Sequence, residues 1–346
     1  MNRPPFAPYS VTRPSKPIDL WLDRNEGATP PAYLLQILRD VSPRLLGRYP
    51  DARPLEALLA ERLGLDPGEV IVTAGADEAL DRVCRARLAP GMRAILHEPT
   101  FEMLPRYAAL SGGEVTSVAW SSGPFPTDAI VAELTLATSL VVVVTPNNPT
   151  GAVATARDLE RIAAAAPRAT LLVDLAYTEL ADEDLTSAAL ALPNAIVTRT
   201  LSKAWGLAGL RVGYLAGRAA AAHGLRAVGS PYGVSSPSLA LAEAWIARGD
   251  DHVKGFIERI REERAALVDL LASLGATPFP SQANFVLARF ADAAETQEAL
   301  ASLGIAVRAF PGRPALEGCL RITCPGGRED FDRLTGALRS VLGRRS

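Results

Sequence analysis

From about residue 68 to residue 215, short apolar, β-branched runs alternate with amphipathic stretches. The runs are Val70 to Thr73, Arg93 to His97, Val115 to Trp120, Leu140 to Val144, Thr170 to Val173, Ala195 to Thr198 and Arg211 to Leu215. Between several of them lie periodic segments such as Asp77 to Leu88 and Ala156 to Ala165. Short β-branched runs predict strands, and the longer periodic segments predict helices. Their alternation predicts an α/β layer with a largely parallel sheet. Ligands of such sheets bind beyond the carboxyl ends of the strands, so polar residues just past these runs are the candidates for chemistry.

Past about residue 233 the texture changes. Pro237 to Leu274 is rich in Ala and Leu, studded with charge, and reads as helices. Short strands are expected at Asn284 to Ala288, Ile305 to Ala309 and Cys319 to Thr323. This predicts a second, smaller α/β unit, and a length of 346 residues is enough for about two domains.

Composition narrows the partners. Apolar residues make up 48%, enough for a sizeable core. Lys plus Arg is 36 against 38 Asp plus Glu, a net charge of -2, which supplies no field for a polyanion and makes nucleic acid a poor partner. The densest apolar stretch, Val141 to Val144, falls far short of a membrane span. The first residues, MNRPPFAPYS, put prolines where a secretory leader needs an apolar core, so secretion is not expected. Cys84, Cys319 and Cys324 are odd in number and irregularly spaced, which argues against a disulfide framework and for a reducing cytoplasm. His97, His223 and His252 lie far apart. No metal site is expected from them, and a proton carrier, if there is one, should be another residue type.

Five segments could carry chemistry. The first is Thr200-Leu-Ser-Lys203, followed by glycines and Arg211. A lysine at the mouth of a sheet can form a Schiff base with a carbonyl compound, and the hydroxyls of Thr200 and Ser202 with the Arg211 guanidinium suit a phosphate dianion. A lysine beside a phosphate site suggests pyridoxal phosphate; a surface lysine in a strand-to-helix loop reads equally well. The second is Asp174, closing an apolar strand, with Tyr177 after it. Asp174 could hold a pyridinium nitrogen and Tyr177 could donate to a ring oxygen, or the Asp could simply cap its loop. The third, Thr145-Pro-Asn147-Asn148-Pro-Thr-Gly151, is a rigid turn whose Asn amide could bond the same oxygen. The fourth, Thr73-Ala-Gly75-Ala76-Asp77, joins strand to helix in a way that can cradle phosphate, as many α/β junctions can. The fifth is Arg321 in Cys319-Leu-Arg321-Ile-Thr323. A guanidinium among Leu and Ile needs an anion, either a substrate or a structural partner.

With these segments in hand, the chain resembles the fold-type I pyridoxal-phosphate-dependent aminotransferases of class I/II. Within them it is most similar to the histidinol-phosphate aminotransferases. The likeness runs from Ala7-Pro-Tyr9 and Asp23-Arg-Asn25-Glu26 through Arg48-Tyr49-Pro50, Gly75-Ala-Asp-Glu78, Pro99-Thr-Phe101, the Asn-Asn-Pro-Thr-Gly turn and Leu201-Ser-Lys203. It ends at Ala283-Asn284-Phe285 and Gly318-Cys-Leu-Arg321-Ile-Thr323. The resemblance implies a large domain with a mixed, mostly parallel sheet flanked by helices, over 29–235, and a small α/β domain over 236–346 joined by an N-terminal arm, 1–28. It implies that Lys203 holds the cofactor and moves the substrate proton, with Asp174 at the ring nitrogen and Tyr177 and Asn148 at the ring oxygen. Ala76, Asp77, Thr200, Ser202 and Arg211 would surround the phosphate, Phe101 would stack on the ring, and Tyr49 would reach the phosphate of a partner subunit in a homodimer. Arg321 would clamp the substrate anion, with Arg308, Asn25 and Tyr9 nearby. Glutamate would be the amino donor and imidazole acetol phosphate the acceptor. An aromatic amino acid aminotransferase or a threonine-phosphate decarboxylase would share most of these features. Leu175, Trp205 and Gly27 depart from the family's usual residues and are expected to reshape the substrate pocket.

Overall fold

A computed structural model of the chain describes residues 16–40 and 42–343. The apolar runs become strands: β1 (Leu20–Leu22), β2 (Val70–Thr73), β3 (Arg93–Glu98), β4 (Glu114–Ala119), β5 (Thr138–Val144), β6 (Thr170–Asp174), β7 (Ala195–Thr200) and β8 (Gly213–Gly217). In the last third come β9 (Thr277–Pro278), β10 (Phe285–Arg289), β11 (Ile305–Ala309) and β12 (Cys319–Thr323). Nearly every residue of β5, β6 and β7 is buried, which is why they read as unbroken apolar runs rather than alternating ones. The strand expected from Arg211 begins two residues later, because Arg211 takes a left-handed backbone (φ 53°) that strands do not use.

Seven strands form one sheet in the order β2-β8-β7-β6-β5-β3-β4. Neighbours from β4 to β7 are parallel; β8 runs against β7, and the edge strand β2, antiparallel to β8, runs with the others. The chain runs from β3 outward to β4 and then back past β3 to β5. The order therefore reverses between β3 and β5, and the crevice outside their carboxyl ends is where this class of sheet places a ligand.

The second sheet has the order β1-β11-β12-β10-β9, with β1 parallel to β11 and the rest antiparallel. Its first strand comes from the N-terminal segment, so residues near 20 are fixed against residues near 305. Three residues, Leu-Trp-Leu, are too few to announce a strand by pattern. The expected boundary at 235/236 does not match the packing. Helix Ser236–Ile246 buries Leu239, Leu241, Trp245 and Ile246 in the cluster that contains Leu55, Val70 and Val212 of the larger unit. The changeover falls inside helix Asp250–Ser273, where Val253 belongs to that cluster and Phe256, Ile260, Leu267 and Leu271 to the core of the smaller unit. An Ala-rich helix does not announce in sequence which core it faces. No helix among the described residues is long and apolar enough to cross a membrane.

Candidate active site

The carboxyl ends of the parallel strands open on a cavity of about 420 Å³. At the end of β7 the Ser202 amide donates to Thr200 Oγ1 at 3.1 Å, a tight local bond that turns the chain and delivers Lys203 to the cavity. Lys203 Nζ donates to the carbonyl of Arg24 at 3.1 Å and lies 5.6 Å from the centre of the Tyr177 ring. Burial, with the positive charge of Arg321 next, lowers the amine's pKa to about 8. Asp174 ends the adjacent strand, in register with Thr198 of β7. Its carboxylate accepts from the Ala176 amide at 3.2 Å, and burial raises its pKa to about 7. The Tyr177 hydroxyl accepts from Asn25 Nδ2 at 3.0 Å, and burial holds the phenol protonated to about 12. An amine and a carboxyl that both titrate near neutrality, in one cavity, can handle protons at ordinary pH.

Beside them, helix Gly75–Arg87 starts with Ala76 and Asp77 on the cavity wall. Arg211 reaches across to it, with Nη2 2.9 Å from Asp77 Oδ2 and Nη1 3.5 Å from Ser202 Oγ. A Cβ on Gly75 would come within 2.6 Å of Arg211 Nη2 and push the guanidinium aside, and the left-handed backbone there (φ 77°) favours glycine in any case. Backbone N–H groups at a helix start, two hydroxyls and a guanidinium form a site for a doubly charged anion.

The smaller sheet supplies a second wall. Arg308 of β11 and Arg321 of β12 are directly paired across the ladder. Arg321 donates to Asn148 Oδ1 at 2.5 Å and to the Asp23 carbonyl at 2.7 Å, and its guanidinium lies 5.2 Å from the Phe285 ring centre. Arg308 meets Glu102 at 2.8 Å. Asn25, in a left-handed backbone (φ 56°), exchanges hydrogen bonds with Thr323 at 3.2 and 3.0 Å and takes one from Asn284 on its carbonyl. It thereby ties Tyr177 of the larger unit to β12 of the smaller.

Thirteen residues expected from sequence line this one cavity: Asn25, Ala76, Asp77, Phe101, Asn148, Asp174, Tyr177, Thr200, Ser202, Lys203, Arg211, Arg308 and Arg321. Tyr49 does not; it is exposed and stacked on Tyr232, with ring centres 4.4 Å apart, beside a different depression. Tyr9 lies outside the described residues. Glu102 and Arg313 line the cavity without having been singled out, since a charged residue in a loop carries no pattern. Arg313 meets Glu98 at 2.6 Å. The expectation that Leu175, Trp205 and Gly27 shape the pocket is corrected. Leu175 and Trp205 are buried in two separate clusters of the larger unit's core, and Gly27 lies on the backbone of the lysine loop. His97 is buried, accepts from the Val144 amide at 3.1 Å, and is held neutral down to about pH 4 by burial, which suits a structural role. Among the described residues no cluster of His, Cys, Asp and Glu is arranged to hold a metal ion.

The family described as Aminotransferase class I and II matches residues 18–338. A histidinol-phosphate aminotransferase of Pectobacterium carotovorum is 34% identical over 334 residues, covering 94% of this chain and 91% of the relative. That of Paracoccus denitrificans is 38% identical over 285 residues, covering 80% and 77%. The crystal structure of the histidinol-phosphate aminotransferase from Sinorhizobium meliloti in complex with pyridoxal 5'-phosphate superimposes with a TM-score of 0.85 at 26% identity, covering 95% of this chain and 92% of that one.

Proposed function

The chain belongs to the class I and II aminotransferases, and from that premise we propose that it uses pyridoxal phosphate to exchange an amino group between histidinol phosphate and 2-oxoglutarate. The observation that carries this reading is a single cavity in which Lys203 and Asp174, at the ends of adjacent strands, share the space with the Arg308–Arg321 pair. The residues present fit the cofactor. A buried carboxyl with one backbone hydrogen bond, a half-buried amine and a glycine-opened helix start are the donor set that its ring nitrogen, aldehyde and phosphate require. When bound, pyridoxal phosphate supplies an aldehyde for the amino group and a ring that accepts electrons from the substrate.

The chain's own residues do the rest. Lys203 would hold the aldehyde and, with its pKa near neutrality, take and return the substrate proton at Nζ. Asp174 would face the ring nitrogen and hold a proton there. Tyr177 takes its bond from Asn25 on the oxygen, which leaves its own O–H to donate to the ring oxygen alongside Asn148. The backbone at Ala76 and Asp77, with Thr200, Ser202 and Arg211, would bind the phosphate, and Phe101 would cover the ring. Arg321 would grip the substrate's anion in two-point fashion, phosphate in one half-reaction and carboxylate in the other, with Arg308, Asn25 and Tyr9 around it.

A homodimer is part of the proposal. Tyr49 and Tyr232 are exposed and stacked on each other, Leu35 and Leu46 are exposed as well, and such apolar side chains suit a second copy; Tyr49 is free of its own chain's cavity. Three free, buried cysteines suit the cytoplasm. Steady-state rates of the holoenzyme with histidinol phosphate and with phenylalanine, each with 2-oxoglutarate, test the substrate. Histidinol phosphate should be preferred in kcat/KM by at least about tenfold, one lost polar or charged contact being worth about that much. Equal use of phenylalanine would move the reading to aromatic amino acids, and carbon dioxide release without a keto acid would move it to a decarboxylase. Lys203→Ala should lower turnover by about a thousandfold or more.

A further inference from the structure

Glu102 and Arg308 form an ion pair on the cavity wall that the exchange between Lys203 and the cofactor does not use. Glu102 follows Phe101 directly and stands at the N-terminus of helix Met103–Leu110, so its backbone is fixed and the helix dipole favours its negative charge. Its Oε1 accepts from Arg308 Nη2 at 2.8 Å. Among the described residues this is the carboxylate's only hydrogen bond, and both partners line the cavity. The Arg308 side chain is 10% exposed and that of Glu102 27%, so the carboxylate is the more open half of the pair.

An unpaired arginine on this wall would bind any second carboxylate that a substrate carried. Paired with Glu102, the same guanidinium has its charge already met and Nη2 committed, so a second carboxylate gains less from it than from an unpaired arginine. The oxygen of Glu102 that Arg308 does not engage can accept from an N–H group without any such loss. We infer that Glu102 is a specificity-determining residue: its carboxylate, anchored by Arg308, accepts a hydrogen bond from an N–H-bearing side ring of the substrate and weakens the hold of Arg308 on the second carboxylate of a dicarboxylic acid. The inference deepens the proposed function and rests on the enzyme taking both a ring-bearing phosphate ester and a dicarboxylic acid. A second pair, Arg313 with Glu98 at 2.6 Å, joins the same two units, but Glu98 is not part of the cavity wall. It is the natural control for a merely structural role.

The test uses the holoenzyme. Glu102→Gln keeps the shape and removes the charge. It should raise KM for histidinol phosphate about tenfold and lower KM for 2-oxoglutarate by about threefold or more, the size of one charge-assisted bond lost or released. Binding of glutarate, a dicarboxylate that cannot react, should tighten by the same factor, measured by calorimetry. Glu98→Gln should move neither KM, or both in the same direction. Should Glu102→Gln fail to fold, Glu102→Ala must show the same opposed shifts. The inference is overturned if the two KM values move together, if glutarate affinity is unchanged, or if Glu98→Gln reproduces the pattern. If the wild-type enzyme does not use histidinol phosphate, the substrate reading fails on its own, and the glutarate measurement still decides whether Glu102 masks Arg308.

Discussion

The two walls of the cavity are built by opposite means. On the large-sheet side, Asn148, Asp174, Thr200, Ser202 and Lys203 all sit at or within four residues of a strand's carboxyl end. Their mutual placement follows from parallel register alone, Val144 beside Asp174 and Asp174 beside Thr198. On the other side nothing is local. Asn25 meets Thr323 and Asp23 meets Arg321, each 298 residues apart, and Glu102 meets Arg308 across 206. The first wall is as rigid as its sheet. The second depends on closing the N-terminal segment onto β11, through three residues of β1. A stiff wall suits a cofactor that never changes, and a wall assembled from distant pieces can be retuned for a substrate without disturbing it.

Substitutions on each wall test that contrast. Asp174→Asn, on the stiff wall, should lower kcat by about two to three orders of magnitude while leaving KM within a few-fold. In the cofactor-free protein the same change has the reverse sign on stability. Burial raises the carboxyl's pKa from 3.8 to about 7, so between those values the folded state holds more protons than the unfolded state. Wild-type stability therefore falls as pH rises through that window. The Asn variant should melt a few degrees higher than wild type above about pH 7, and the difference should vanish toward about pH 4. Equal melting at all pH values would show that Asp174 is not desolvated.

Arg321→Gln, on the second wall, should cut kcat/KM for anionic substrates about a hundredfold, two charge-assisted bonds to the substrate being lost. Cofactor affinity, read from absorbance, should be kept. Loss of cofactor as well would erase the division between the walls. The smallest effect is expected at the seam. Thr323→Val removes the hydroxyl that exchanges two hydrogen bonds with Asn25 and should cost about 1–2 kcal/mol in unfolding experiments. KM should rise only a few-fold, since Arg321 keeps its own backbone anchor at Asp23.

The same contrast separates what the sequence discloses from what it conceals. Strands β2, β11 and β12 and helix Ala156–Ala165 coincide with the runs read from pattern, because each is short, apolar or strongly periodic and ends at a clear turn. The residues of the stiff wall were legible for the same reason, lying just past such runs. Glu102 and Arg313 were not, since their role comes from a partner two hundred residues away and no periodicity records it. The change from one core to the other is hidden in the sequence because Trp245 and Phe256 look alike as helix residues and differ only in the core they enter. Leu175, Trp205 and Gly27 depart from the family's usual residues beside its motifs, but a departure in sequence does not say where a side chain points, and none of the three lines the cavity.

Gly27 carries the last consequence. A Cβ there would collide with the carbonyl of Lys203, and a Cβ on Gly206 with the carbonyl of Ala28. The N-terminal segment at Gly27 and Ala28 and the lysine loop thus touch main chain to main chain, in both directions, with no side chain between to yield. Neither position can be diversified singly in a library aimed at new substrates, because any gain in one loop must be answered by movement of the other. Redesign of this enzyme is therefore channelled away from the lysine and toward the charged rim of the cavity, where the Arg308–Glu102 and Arg313–Glu98 pairs meet side chain to side chain.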